Sequence, residues 1–349
     1  MVSATASQPL PAGWLRSPGF DHLFIAGIAG IALLMGAVVV ARPELFGLIL
    51  MVDLWFLGYH HVIATFTRIA FDRESFREHR FFVFFLPFIV FGATAFVALS
   101  VGIWMISSVY LYWQWFHYTR QSWGVSQVYR GKSQGLVRED PRFSKLCFYL
   151  VPIWGILHRS WQAPEKFLFM ELRVIPTPGW LVDVFGVAAL LSVLAWGFTR
   201  VQAWRAGQLP RAHTWYMLSH FAVFFTGYKL IDDITYGWLV LNIWHNAQYL
   251  LFVWLFNTNR YKNGVDEKAR FLSTLSQSTH VVRYFLVCFG ITTIVYGTTQ
   301  YLTYEQLLLG VPLSIVLYQA VNFHHYIVDS KIWKVRKKRM QTTLGLSSG

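Results

Sequence analysis

Val321-Asn322-Phe323-His324-His325-Tyr326-Ile327-Val328-Asp329 closes a long apolar run and is followed at once by Lys331, Lys334, Arg336, Lys337, Lys338 and Arg339. An apolar run that ends in a block of cations reads as a membrane helix meeting a basic surface. Two imidazoles and a carboxylate then sit about two turns inside the boundary, where ionisable groups are costly and mark function. Tyr318, Asn322, His325 and Asp329 are spaced i, i+4, i+7 and i+11, which is one helical face.

The whole chain shares this character. It has 349 residues, 55% of them hydrophobic and 13% charged, where a soluble domain carries about 25% charge. The composition predicts an all-α, polytopic integral membrane bundle, and the expected location is a bacterial inner membrane. Cys147 and Cys288 are the only cysteines and lie in apolar runs, so neither a disulfide framework nor a thiolate metal site is expected. The formal charge of +13 is assigned to basic loops facing anionic lipid, and not to nucleic acid.

A helical span needs about 20 apolar residues. Ten candidates appear, at 23–41, 46–67, 81–103, 106–128, 146–163, 179–198, 213–231, 236–257, 283–301 and 306–329. After even-numbered candidates come Arg68, Arg73, Arg77 and Arg80, then Arg130, Lys132, Arg138, Arg142 and Lys145, then Arg200, Arg205 and Arg211, then Arg260, Lys262, Lys268 and Arg270. After odd-numbered ones there are only Arg42, Arg159, Lys166, Arg173 and Lys229. The positive-inside rule then places both termini in the cytoplasm. Residues 1–19 read as a cytoplasmic tail rather than a cleaved signal peptide. Residues 20–330 read as the transmembrane domain and 331–349 as a basic cytoplasmic tail.

Of the twelve histidines, His22, His79, His158 and His280 fall at interfaces or in loops and take ordinary readings. His60, His61, His117, His213, His220, His245, His324 and His325 lie inside five candidate spans, on the expected cytoplasmic half or near the midplane. By helix rise, His324 and His325 are roughly 10 Å, and His60 and His61 roughly 12 Å, from the inner boundary. Each has polar company at helical spacing: Asp53 with His60; Gln114, Arg120 and Gln121 around His117; Asn242, Asn246 and Tyr249 around His245. Imidazole is the commonest protein metal ligand, and its second nitrogen is held by a carboxylate, amide or carbonyl. The eight histidines with Asp53 and Asp329 are therefore the candidate ligands. Gln121, Asn246 and Tyr318 are candidate partners, and Arg120 a candidate for a substrate head group. Two nitrogen-ligated ions fit this count. Iron, copper and zinc all suit such donors, and a haem pair on facing helices does too.

The constellation resembles the histidine-rich integral-membrane non-haem iron oxygenases: fatty-acid desaturases and hydroxylases, alkane hydroxylases and carotene-cleaving dioxygenases. The resemblance rests on His60, His61, His117, His213, His220, His245, His324 and His325, in the runs Tyr-His-His, His-Tyr-Thr-Arg-Gln, Trp-His-Asn-Ala-Gln and Phe-His-His-Tyr-Ile-Val-Asp. The desaturase boxes His-x-x-x-His and His-x-x-His-His do not occur. It implies iron, as two ions, and oxidation of a lipophilic small molecule within membrane lipid. It also implies a cytoplasmic reductase as electron donor. Two other classes compete: a haem- or quinol-linked electron-transfer protein, and a proton- or metal-coupled transporter using Asp53 or Asp329.

Overall fold

The computed structural model describes residues 13–346. Ten long helical segments follow one another: α1 Pro18–Ala41, α2 Pro43–Ile69, α3 Arg73–Ser100, α4 Ile103–Lys132, α5 Pro141–Gln162, α6 Gly179–Arg205, α7 211–230, α8 Ile234–Arg260, α9 Ser278–Thr303 and α10 Leu313–Ile332. A short helix, α11 Lys338–Leu344, follows. Among the described residues, strand is confined to two hairpins of two-residue strands. This is an all-α architecture.

Six segments, α1, α2, α3, α6, α8 and α9, are long and apolar enough to cross a membrane. The other four, α4, α5, α7 and α10, carry more polar side chains. Their buried faces include Gln114 and His117 on α4, His158 and Arg159 on α5, His213 and His220 on α7, and His324, His325 and Asp329 on α10.

The ends of the helices follow local chemistry. α3 begins at Arg73, earlier than the apolar run suggests, because Asp72 caps it by accepting from the Ser75 amide at 2.8 Å. Asp72 also accepts from Arg260 at 2.8 Å. Burial alone would raise its carboxyl, but these hydrogen bonds outweigh it and hold Asp72 below the usual range. Pro152 sits inside α5 without ending it, and Pro312 caps the start of α10. α7 closes in a π-helical turn, Thr226–Leu230, and turns tightly into α8. A Cβ at Gly237 would lie 2.0 Å from the Gly227 carbonyl oxygen, so only glycine fits that approach.

α8 is the axis of the bundle. In its most apolar stretch 89% of residues are buried, against 17–39% in the other five candidate spans. A helix enclosed on every side reads as continuously apolar or neutral rather than amphipathic.

Contacts at helix ends and loops sort the two ends of the bundle. At one end Asp72 pairs with Arg260, Glu139 with Arg200, and Arg339 with Glu74. At the other, Arg159 donates to the carbonyls of Gly227, Ile231 and Asp232, and Arg173 lies over Trp104. The basic residues 331–339 belong to the first end. α11 folds back there, burying Met340 and Leu344.

Candidate metal centre

Four helices each bring one imidazole to a common point. His61 comes from α2, His117 from α4, His245 from α8 and His325 from α10, and all are buried. Ring centroids are 4.5 Å apart for His61–His325, 5.2 Å for His325–His117, 5.1 Å for His117–His245 and 5.6 Å for His245–His61. The four rings thus close a circuit. Asp329, one turn beyond His325 on α10, adds a carboxylate. Its Oδ2 is 3.5 Å from His325 Nε2 and 4.0 Å from His117 Nε2. One donor atom each from His117, His325 and Asp329 lies within 4.8 Å of the others.

The local backbone explains these positions. A π-helical turn, Leu54–Gly58, precedes Tyr59-His60-His61 in α2, and such bulges re-aim the side chains that follow. His61 Nδ1 then lies 2.6 Å from the Gly58 carbonyl. Stacking fixes two other rings: His245 on Tyr118 at 4.0 Å and His117 on Tyr326 at 4.4 Å.

The hydrogen bonds admit one consistent placement of protons when Asp329 is ionised. A carbonyl only accepts, so His61 carries its proton on Nδ1 and presents a bare Nε2. With Asp329 ionised, Tyr249 donates to its Oδ1 at 2.9 Å. Tyr249 has then used its one proton, so Thr65, 2.7 Å away, donates to it. Thr65 in turn must accept from His325 Nδ1 at 3.0 Å. Trp333 Nε1 also donates to Tyr249, at 3.0 Å. His325 is thereby left with a bare Nε2, which lies 3.0 Å from the bare Nε2 of His61. Among the described residues, His117 Nε2, His245 Nε2 and Asp329 Oδ2 have no hydrogen-bond partner. Two such lone pairs facing one another in a buried site are satisfied by a proton shared between them or by a cation.

His117, His325 and Asp329 offer the nitrogen and oxygen donors that a first-row ion takes, within 4.8 Å of one another. Adjacent donors on one ion with bonds of about 2.0–2.1 Å stand about 3.0–3.4 Å apart, and His61 and His325 are already there. The set is nitrogen and oxygen without thiolate; both cysteines are free and buried elsewhere.

The remaining candidates lie outside this circuit. His60 turns its ring to Phe285 and Phe289 of α9. His324 donates from Nε2 to the Phe82 carbonyl at 2.7 Å. That carbonyl stands just before the break in α3 where Pro87 removes a backbone donor. His220 donates to the Phe148 carbonyl and accepts from Ser122, both at 3.1 Å. His213 is fully enclosed, and neither nitrogen has a partner among the described residues. Asp53 belongs to a separate polar chain. Asn242 donates to it at 2.5 Å, Tyr118 donates to Asn242 at 2.5 Å, and Gln114 donates to Tyr118 at 2.6 Å. Asn246 is buried beside that chain with its amide unpartnered, and Tyr318 packs against Tyr59.

Arg120 and Gln121 line a cavity of about 100 Å³ that reaches His117 and Asp329. Thr65 and Trp333 hold the network together and escape a search for ligand types. Their one signal is spacing, since Thr65 is i+4 from His61 and Trp333 is i+4 from Asp329.

Comparison with protein-family models, with curated proteins and with solved structures finds no match.

Proposed function

We propose that this chain is a metal-dependent oxidoreductase of the membrane interior, with one iron ion held by His61, His117, His245, His325 and Asp329, acting on a lipophilic substrate. The observation that carries this reading is the approach of His61 Nε2 and His325 Nε2 to 3.0 Å beside a carboxylate oxygen that has no hydrogen-bond partner among the described residues. An iron ion held there supplies one-electron chemistry with dioxygen as oxidant and a cytoplasmic reductase as electron donor.

The chain's own residues supply the rest. The Gly58 carbonyl and Thr65 hold the two imidazoles in the ligating tautomer. Tyr249 and Trp333 hold Asp329, and the stacked tyrosines keep His117 and His245 from turning away. The cavity at His117 and Asp329 leaves one side of the donor set accessible, as a catalytic site requires and a structural one does not. A second, larger groove of about 890 Å³ runs along Ile63, Phe66, Phe88, Phe91, Tyr296 and Tyr318.

In this reading all ten long helices cross the bilayer and both termini are cytoplasmic, which puts the ion nearer the basic end. Reporters fused after Gly349 and within 133–140 should read cytoplasmic, and one at 232–235 external. The reverse pattern would overturn the orientation. For the ion, elemental analysis of purified protein should give about one iron per chain, lost in His325→Ala and kept in His158→Ala. Equal metal in both variants would sink the site.

A second reading is a proton- or cation-coupled transporter. The buried chain Asp53–Asn242–Tyr118–Gln114 favours it. Asp53→Asn separates the two readings: it should leave metal content intact in the first and abolish coupled uptake in the second.

A further inference from the structure

The cavity that begins at His117 and Asp329 ends at a cation. His117, Arg120, Gln121 and Gly124 follow one face of α4 at i, i+3, i+4 and i+7. Among the described residues no carboxylate lies within ion-pair distance of Arg120. Its guanidinium is 5.9 Å from the Phe116 ring, and the Oε1 of Gln121 has no partner. Most other walls are apolar, with Trp113, Val125, Phe252 and Leu344 among them.

The mouth is positive. Beside it the Lys334 ammonium is held below its usual range, first by partial desolvation and then by Lys331, Arg336, Lys337 and Arg120. The volume of about 100 Å³ lies well under the ~300–1,000 Å³ of a drug-sized site. A guanidinium fork matches a carboxylate in shape as well as charge.

We propose that this cavity binds a small monocarboxylate, with its anionic head on Arg120 and its short apolar body among Trp113, Phe116 and Phe252, directed at His117 and Asp329. This names the substrate class of the site proposed above and rests on that reading only for what happens at the inner end. Arg120 and His117 are one turn apart, about 4.5 Å along the helix axis. The carbons that meet the donors are therefore those nearest the carboxylate.

The test is equilibrium dialysis of purified, metal-assayed protein against hexanoate, hexanol and dodecanoate. Hexanoate should bind, and hexanol should bind at least tenfold more weakly. Arg120→Gln should weaken hexanoate about 10- to 100-fold, the scale of a lost charge-assisted hydrogen bond, and Arg120→Lys should restore part of it. Gly124→Leu fills the cavity from a position where a Cβ meets open space, and should abolish hexanoate binding with metal content unchanged. Preference for dodecanoate over hexanoate would overturn the size argument. Equal binding of hexanoate and hexanol, or wild-type affinity in Arg120→Gln, would overturn the anion site. The metal reading fails separately: protein without iron that still selects hexanoate through Arg120 keeps this proposal and breaks that one.

Discussion

His60–His61 on α2 and His324–His325 on α10 are the same dipeptide, yet in each pair only one ring joins the circuit. His61 and His325 meet at 3.0 Å. His60 turns to the phenylalanines of α9, and His324 turns to a carbonyl of α3. Neighbours on a helix point about 100° apart, since 3.6 residues make a turn. A doubled histidine therefore offers one side chain to the centre of a bundle and one to an adjoining helix. α7 supplies a second contrast. His213 and His220 are as enclosed as the central four, but His220 is satisfied by neutral partners and His213 by none. Enclosure alone does not single out a candidate ligand, whereas convergence of ring nitrogens from several helices does.

The sharpest way to break this contrast is to remove one member of each pair. His325→Ala should reduce metal per polypeptide to background, while His324→Ala should leave it near the wild-type value by elemental analysis. Equal loss would mean that the pairs act as units. Tyr249→Phe comes next. It deletes the hydroxyl that orders Thr65 and Asp329, and losses of about 10- to 100-fold in metal affinity are typical for such partners. A competitive chelator titration measures it, and an unchanged affinity would refute the tautomer assignment. His220→Phe should cost about 1–3 kcal/mol, because it leaves the Phe148 carbonyl, whose i+4 residue is Pro152, without a donor, with metal content untouched. His213→Leu should have the smallest effect, at or above wild-type thermal stability, because it removes a buried group that lacks partners. A large fall in the unfolding midpoint of His213→Leu would reveal a contact for that ring.

The ten long helices could be read in the sequence because apolar runs alternate with loops of unequal charge. The enclosed position of α8 could not, since a helix covered on all sides has no amphipathic stripe to betray its neighbours. Periodicity placed His325 and Asp329 on one face but left open where that face points. It therefore could not separate His61 from His60, or assign Asp53 to its amide chain. Thr65 and Trp333 are ordinary residue types whose roles exist only through Tyr249. The stretch 331–339 is basic enough to suggest a solvated tail. Yet Met340 and Leu344 of α11, just beyond it, cover the end of the cavity.

The sequence separation of the site has a consequence for biogenesis. His61 and His325 are 264 positions apart, and the other two imidazoles come from α4 and α8. While the chain is being synthesised, α2, α4 and α8 must be made before α10 exists. Their donors then have no complete set to join. Under the function proposed above, iron would be captured only after α10 docks, so metal loading should be a late event and a reporter of finished assembly. A ribosome-stalled chain ending before residue 313 should insert its earlier helices and carry no iron.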